Sequence, residues 1–204
     1  ISDPRFDITN TYVGNGWYQF AARSGDRLTY VNFEQFRLTG GAGDDYLAGY
    51  ILGDTLVGGA GDDTLDGSKG NGTINGMAGQ DLWSADLIDM GGLIFSAKAS
   101  QTKAQGGAIG LTVTGIERVH LVTGDDADKI TTVNGDDWVQ MNGGNDVFTA
   151  GLGHDTADGG TDVDLLTLDY HTATTSVSNV YVGNGWYKYA QADGSADVTW
   201  INFD

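Results

Sequence analysis

The nine residues Gly58-Gly59-Ala60-Gly61-Asp62-Asp63-Thr64-Leu65-Asp66 carry the pattern on which the chain is built. Counting in steps of nine gives five units between residues 40 and 84 and five more between residues 123 and 167. Most units have glycine at the fourth position, nine of the ten have aspartate at the sixth, and all have an apolar residue at the eighth. This period predicts a repeat architecture, because one unit cannot bury its apolar side chain alone whereas stacked units can.

The residue types in each unit predict a tight turn followed by a short strand. Glycine at fixed positions supplies backbone conformations with positive φ that other residues resist, so the first six residues can form the turn. The last three residues are long enough for a strand whose central apolar side chain points inward. Two units then make one coil of eighteen residues, with turns at two alternating edges and two facing columns of apolar side chains.

The sixth-position aspartates of units eighteen residues apart are expected to lie above one another. Strands stack at about 4.8 Å, and carboxylates at that spacing repel one another without a cation. Carboxylate and turn carbonyl oxygens are the ligands that Ca²⁺ prefers. The predicted columns are Asp45, Asp63 and Asp81; Asp128, Asp146 and Asp164; and Asp137 and Asp155.

The ten units resemble those of RTX (repeats-in-toxin) proteins, whose pattern is G-G-x-G-x-D-x-U-x with U large and apolar. This resemblance covers 90 of the 204 residues and implies a parallel β-roll in which sixth-position aspartates and backbone carbonyls hold Ca²⁺ between turns. It implies these metal ligands: Asp45, Asp54, Asp63, Asp81, Asp128, Asp137, Asp146, Asp155 and Asp164. Adjacent pairs give about five calcium sites, and a sixth, at Asp54, faces Gly72 instead of a second carboxylate.

The resemblance also implies a cellular location. Most RTX chains leave Gram-negative bacteria by type I secretion, unfolded in the low-Ca²⁺ cytosol, and fold outside. We therefore expect the chain to be secreted, in the extracellular space or at the bacterial cell surface.

The segments outside the repeats are predicted to be β-strands and hairpins, which makes the chain all-β: two RTX parallel β-roll blocks separated and flanked by inserts. The inserts are residues 1–39, 85–122 and 168–204, and the blocks are residues 40–84 and 123–167. An Asn-Gly pair between aromatic and β-branched residues, at Asn15 and again at Asn184, predicts two hairpins.

The inserts are related to one another. Residues 111–121 align with residues 28–38 at an offset of 83, which is also the offset between the two blocks. The two glutamates of the chain, Glu34 and Glu117, occupy equivalent places and suggest a repeated structural bond at the junctions. We expect a fragment of a larger tandem array whose partners are neighbouring repeats of the same chain or of like chains.

Composition and charge narrow the function. The chain has 28 acidic and 10 basic residues and a net charge of −18, which argues against nucleic acid and anionic membranes as partners. No stretch is long and apolar enough for membrane insertion, and the chain has no cysteine. The sequence shows no nucleophile elbow, P-loop, Rossmann or zincin motif, so we predict a protein that is not an enzyme.

Two functions other than that of a secreted, calcium-binding structural repeat segment remain open at this point. The chain could be an accessory carbohydrate-binding or folding module of a secreted enzyme, with inserts that contact polysaccharide through Trp17 or Trp186. Saccharide-dependent quenching of their fluorescence would support this. Ice or mineral binding is disfavoured, because the outward positions show no regular threonine ladder.

Overall fold

A computed structural model describes residues 8–22, 27–49, 53–67, 72–97, 102–106, 109–171 and 173–203. Within these ranges the chain forms strands and turns, and no helix there could cross a membrane. The strands are β1 (Ile8–Gly14), β2 (Trp17–Ala22), β3 (Arg27–Tyr30), β4 (Arg37–Thr39), β5 (Tyr46–Ala48), β6 (Thr55–Ala60), β7 (Thr64–Asp66), β8 (Thr73–Ala78), β9 (Leu82–Asp86), β10 (Ile94–Ser96), β11 (Thr102–Gly106), β12 (Ile109–Thr114), β13 (Arg118–Val122), β14 (Lys129–Thr131), β15 (Trp138–Gln140), β16 (Val147–Ala150), β17 (His154–Asp158), β18 (Leu165–Leu168), β19 (Val177–Gly183), β20 (Trp186–Gln191) and β21 (Asp197–Ile201).

The repeats form the predicted parallel roll. Strands β5, β7 and β9 pair in parallel with Leu47 opposite Leu65 and Leu65 opposite Trp83, a register of eighteen residues. Strands β6 and β8 pair in the same register on the other face. The all-β prediction and the eighteen-residue coil are therefore confirmed.

One face of the roll is a single sheet of nine strands, in the order β19-β20-β21-β17-β15-β13-β9-β7-β5. The opposite face consists of two sheets, in the orders β11-β12-β8-β6-β4 and β10-β14-β16-β18. Strands β1, β2 and β3 form a separate antiparallel sheet. The long sheet therefore takes strands from both sets of repeats.

Strand β13 joins the two sets of repeats within the long sheet. It pairs in parallel with β9, where Val119 lies opposite Trp83, and with β15, where Leu121 lies opposite Val139. The eighth-position residues Trp83 and Val139 therefore lie opposite residues of β13 that are two positions apart. Because side chains alternate along a strand, a shift of two residues leaves both of them on the inner face of the sheet. The domain boundaries given by the sequence stay a prediction. The nine-stranded sheet continues from β9 through β13 to β15 and so joins the two sets of repeats.

The core lies between the two faces and consists mainly of eighth-position side chains. Nine of the ten eighth-position residues are at most 1% exposed, namely Leu47, Leu56, Leu65, Ile74, Trp83, Ile130, Val139, Phe148 and Ala157, and Leu166 packs against them. The insert contributes Phe95, whose ring lies 5.1 Å from that of Trp83. The indole of Trp83 donates a hydrogen bond to the carbonyl of Gly67.

Both predicted hairpins are present. The Asn-Gly turn between β1 and β2 has φ values of 53° at Asn15 and 80° at Gly16, and the turn between β19 and β20 has 53° at Asn184 and 85° at Gly185. Positive φ at both central residues is what a two-residue hairpin turn requires. The second hairpin continues into β21, which pairs in parallel with β17 and thus extends the roll.

Candidate metal sites in the repeat turns

Every sixth-position aspartate is buried, and each directly precedes a strand except Asp155, which is the second residue of β17. The nine side chains named from the sequence are all at most 3% exposed: Asp45, Asp54, Asp63, Asp81, Asp128, Asp137, Asp146, Asp155 and Asp164. Aspartate is almost never fully buried unless it is paired with a compensating group. The turns therefore hold a row of carboxylates that solvent does not stabilise.

In every column, one oxygen of a carboxylate accepts a hydrogen bond from the preceding coil and so stacks the coils. The Oδ1 atom of Asp63 accepts a hydrogen bond from the backbone N–H of Asp45 at 2.8 Å, and the Oδ1 atom of Asp81 accepts one from Asp63 at 2.9 Å. The same bond, again across eighteen residues, joins Asp128 to Asp146, Asp137 to Asp155 and Asp146 to Asp164. The structure thus brings together all five predicted pairs.

The second oxygen of these carboxylates has no such partner. The Oδ2 atoms of Asp63, Asp81, Asp146 and Asp155 are buried and accept no hydrogen bond. The hydroxyls of Thr123 and Thr132 lower the pKa of Asp128 and Asp137 and so partly stabilise those two carboxylates. Buried polar atoms are almost always satisfied, and an unpaired buried carboxylate is especially unfavourable. A repeated orphan oxygen of this kind indicates a missing cation rather than a defect of packing.

Backbone carbonyls face the same spaces. A Cβ atom built on Gly58 would lie 2.1 Å from Oδ2 of Asp63 and 2.8 Å from the carbonyl oxygen of Gly76. On Gly40 it would lie 2.1 Å from Oδ2 of Asp45 and 2.2 Å from the carbonyl oxygen of Gly58. Glycine is therefore required at these two first positions, because a side chain there would fill the space that the two oxygens share. In the second set of repeats the first position is instead occupied by Thr123, Thr132, Met141 and Ala150 in four of the five units.

The donor set of each turn fits calcium. No group of three or more His, Asp or Glu side chains converges anywhere in the described residues, so a site there has at most two carboxylates and is completed by carbonyls. Oxygen-only sites of mixed carboxylate and carbonyl character suit Ca²⁺, which accepts six to eight ligands in flexible geometry. Softer metals would prefer imidazole or thiolate ligands, but the turns contain no cysteine, and His154, the one histidine of the repeats, contacts Asp197 instead.

The carboxylates are poised between the protonated and the ionised form. Burial, which disfavours the charged form, raises the pKa of Asp63 and Asp81 to about 6. It raises the pKa of Asp137 and Asp146 to about 7 and that of Asp155 to about 8. Neighbouring carboxylates in the same column raise the pKa of Asp146 and Asp155 further. At neutral pH the fold therefore needs either protons or a cation in these turns.

These pKa values predict that the metal-free chain is more stable in acid. A carboxyl has a pKa of about 3.9 in the unfolded chain, and a raised pKa in the fold means that the folded state binds more protons. The resulting stabilisation is complete below about pH 4 and is lost as the pH rises through about 6 to about 8. We expect circular dichroism of chain freed of metal on a chelating resin to show more β-structure at pH 5 than at pH 8. Equal spectra at the two pH values would contradict this, and calcium-saturated chain is the control, expected to be folded at both.

The fifth-position aspartates have a different place. Asp44, Asp62 and Asp136 are exposed, and each accepts a hydrogen bond from a backbone N–H eighteen residues further on. They therefore tie neighbouring turns together from the solvent side. Their carboxylates are solvated, in contrast to those of the sixth position.

The column that contains Asp54 is incomplete. Asp54 is buried and accepts a hydrogen bond at 2.7 Å from the backbone N–H of Phe36 in the preceding coil. In the following coil Gly72 takes the sixth position, and a Cβ there would lie 2.5 Å from the carbonyl oxygen of Asp54. This turn therefore offers one carboxylate where the other columns offer two.

Residues of the inserts join the same ladders, which the repeat pattern does not predict. The backbone N–H of Leu93 donates to Asp128, and that of Val119 donates to Asp137 at 2.8 Å. The backbone N–H of Asp81 donates at 3.0 Å to Oε2 of Glu117. The feature of the sequence that indicates a structural role for Glu117 is the offset of 83 residues that relates it to Glu34.

The histidines make structural contacts. Nδ1 of His154 lies 2.7 Å from Oδ2 of Asp197, which also accepts a bond at 2.8 Å from Lys188. Burial alone would raise the pKa of Asp197, but Lys188 and His154 hold it below its ordinary value. The ring of His120 packs on Trp138 with centroids 4.3 Å apart. The contacts of Asp197 with His154 and Lys188 tie β20 and β21 to the roll.

Comparison with known proteins identifies the repeats. The family model for the RTX calcium-binding nonapeptide repeat matches four times, at residues 37–51, 49–82, 122–157 and 131–166. Residues 37–82 and 122–166 are therefore RTX calcium-binding nonapeptide repeats. RTX repeats bind calcium and are structural rather than catalytic, so the oxygen-lined turns described above lie in segments of a calcium-binding kind.

A comparison with curated protein sequences found no significant match. Among solved structures, the chain is similar to the extracellular lipase LipA from Serratia marcescens, with 15% identity and a TM-score of 0.37 over 86% of this chain and 39% of the lipase. The chain thus spans about two fifths of the length of that lipase.

Proposed function

We propose that this chain is a calcium-binding structural segment of a large secreted or cell-surface bacterial protein, such as an adhesin, a filament or a surface layer, and that it is not an enzyme. The observation that carries the proposal is the row of buried carboxylate oxygens without hydrogen-bond partners, one in turn after turn of the roll. A catalytic centre is a single constellation, whereas these groups recur at a fixed spacing along the whole structure.

The proposed calcium ligands are the sixth-position carboxylates together with backbone carbonyls of the turns. Five pairs supply two carboxylates each: Asp45 and Asp63, Asp63 and Asp81, Asp128 and Asp146, Asp146 and Asp164, and Asp137 and Asp155. Asp54 supplies a single carboxylate to a sixth, weaker position. Bound Ca²⁺ would supply the positive charge that the buried oxygens lack.

The biological role proposed for this arrangement is folding controlled by calcium. At neutral pH the ionised columns repel one another, and strands of three residues bury too little apolar surface to offset the backbone entropy of folding. A site that exists only in the folded state converts the free energy of binding into free energy of folding. The chain would then stay unfolded during export and fold outside the cell.

The affinity expected for such a role is modest. Extracellular calcium modules bind with dissociation constants of about 10⁻⁴ to 10⁻³ M, well above the free Ca²⁺ concentration of a cytosol. This range would leave the turns protonated or repelling inside the cell and occupied outside it. Secretion by the type I route is part of the proposal and rests on the family resemblance.

The experiment that tests the proposal is a calcium titration followed by far-ultraviolet circular dichroism. Metal-free chain at pH 7.5, prepared with EGTA, is expected to give a largely disordered spectrum and to gain β-signal cooperatively with Ca²⁺. Mg²⁺ at the same concentrations is the control and should not induce folding, because it demands octahedral geometry and dehydrates reluctantly. If the metal-free chain is already folded and indifferent to Ca²⁺, the core alone holds the roll and the proposal fails.

Polysaccharide contact by the inserts is a second candidate. Trp17, next to the first hairpin turn, is 44% exposed, so it does not close a core. A nearby cavity is lined by rings of Tyr18, Tyr30, Phe33 and Phe36 together with Glu34. Aromatic rings beside a carboxylate can stack on and hydrogen-bond to a sugar, and the fluorescence quenching named above distinguishes this role from a purely structural one.

A further inference from the structure

The turn that connects β12 to β13, residues 114–117, imitates a repeat turn although it lacks the nine-residue pattern. In the repeats, the residue after the sixth-position aspartate donates its N–H to the carbonyl of the aspartate one coil earlier. Leu82 does so to Asp63 at 2.8 Å, and Arg118 does so to Asp81 at 3.0 Å. Arg118 therefore occupies the seventh position of a further coil, and Glu117 occupies the sixth.

The side chain of Glu117 makes the bond that defines the sixth position. Its Oε2 atom accepts the backbone N–H of Asp81 at 3.0 Å, as Oδ1 of Asp81 accepts that of Asp63 at 2.9 Å. The column that begins with Asp45 and Asp63 thus continues through Asp81 to Glu117.

The remaining donors of a repeat site are also in place. Asp81 is fully buried, and its Oδ2 atom has no hydrogen-bond partner. A Cβ built on Gly76 would lie 2.3 Å from that oxygen and 2.0 Å from the carbonyl oxygen of Gly115. This is the arrangement found at Gly40 and Gly58, with Gly115 in the place of the first-position glycine of the next coil.

The shortness of this turn explains why the acid is a glutamate. In the repeats the sixth-position aspartate comes five positions after the first glycine, as Asp81 does after Gly76. Glu117 comes only two positions after Gly115. A backbone shortened by three residues follows a different path, and one additional methylene carries the carboxylate back to the N–H of Asp81. A sequence search for the nonapeptide cannot find such a site.

We propose that Asp81, Glu117 and the carbonyl of Gly115 form a further Ca²⁺ site, which fastens the insert to the first set of repeats. This inference rests on the proposed function, since it adds a site of the same chemistry. It assigns to the insert a calcium-dependent role in continuing the nine-stranded sheet from β9 to β13. The rival cation is Arg118, whose guanidinium donates at 2.7 Å to the carbonyl of Gln80 nearby.

The test counts the ions bound to metal-free chain by isothermal titration with Ca²⁺ and by elemental analysis after equilibrium dialysis. Glu117→Gln is expected to bind one ion fewer per chain than the unaltered protein. Glu34→Gln is the matched control, since it makes the same change at the equivalent, exposed position and should leave the count unaltered. Circular dichroism in saturating Ca²⁺ checks that each variant is folded.

A second variant distinguishes the effect of the length of the Glu117 side chain from the effect of its charge. Glu117→Asp keeps the charge but shortens the side chain, and we expect it to lose the same ion. A full ion count in both variants of Glu117 would overturn the inference and assign the neutralising charge to Arg118. If the unaltered chain binds no calcium at all, the proposed function fails; if it binds calcium and the count does not depend on Glu117, only this further site fails.

Discussion

Replacement of Asp146 by asparagine is expected to weaken calcium binding more than any other single change in the second set of repeats. Asp146 stands in the middle of its column: its Oδ1 atom accepts the N–H of Asp128, and its own N–H donates to Asp164. The substitution therefore removes a carboxylate from two proposed sites at once. Loss of a group that only supports a metal ligand typically lowers metal affinity by about ten- to a hundredfold. Loss of a ligand itself should therefore raise the midpoint of the Ca²⁺ folding titration by at least about tenfold.

The change is designed to act on the metal rather than on the hydrogen bond. Asparagine retains a carbonyl oxygen that can accept the N–H of Asp128, whereas the buried Oδ2 is replaced by an amide nitrogen that cannot bind a cation. Asp136→Asn is the matched control: its oxygen likewise accepts a backbone N–H, from His154, but the side chain is exposed. An equal shift of the midpoint in both variants would mean that general charge, not ligation, governs folding.

Truncation of Trp83 to alanine is expected to be the most destabilising change in the core. Trp83 is fully buried between the two faces, packs on Phe95 at 5.1 Å and donates its indole N–H to Gly67. Its removal leaves a cavity and an unsatisfied carbonyl, and a buried tryptophan replaced by alanine typically costs about 3–5 kcal/mol. Urea denaturation in saturating Ca²⁺ measures the difference in the free energy of unfolding.

Trp138→Ala provides the comparison for this experiment. Trp138 belongs to the same nine-stranded sheet but is half-buried on the outer face, where it packs on His120. Its loss should cost about 1 kcal/mol, the size of an exposed aromatic contact. If the two tryptophans were equally important, the core between the faces would not be the main apolar contribution to stability.

The position of Trp83 could be predicted, but its neighbours could not. The nine-residue period places residue 83 at an eighth position and hence in the core. Phe95, its ring partner, lies outside the period, and a local pattern does not reveal which residue of an irregular segment returns to the core. The same holds for Leu93, whose N–H caps the column of Asp128.

The sequence by itself determined the local chemistry of this protein: the glycines that permit the turns, the apolar residue at the centre of each short strand, and the recurring aspartate. These features are local and periodic, so spacing alone places them in register. The tertiary structure decided what long-range pairing controls. It made residues 111–121 a further coil of the roll and continued the long sheet from the first set of repeats into the second. It also placed the carboxylate of Glu117 against the backbone N–H of Asp81, 36 residues earlier in the sequence. The physical reason is that strand pairing depends on which unpaired edge a distant segment can reach and satisfy, and no short stretch of sequence encodes that.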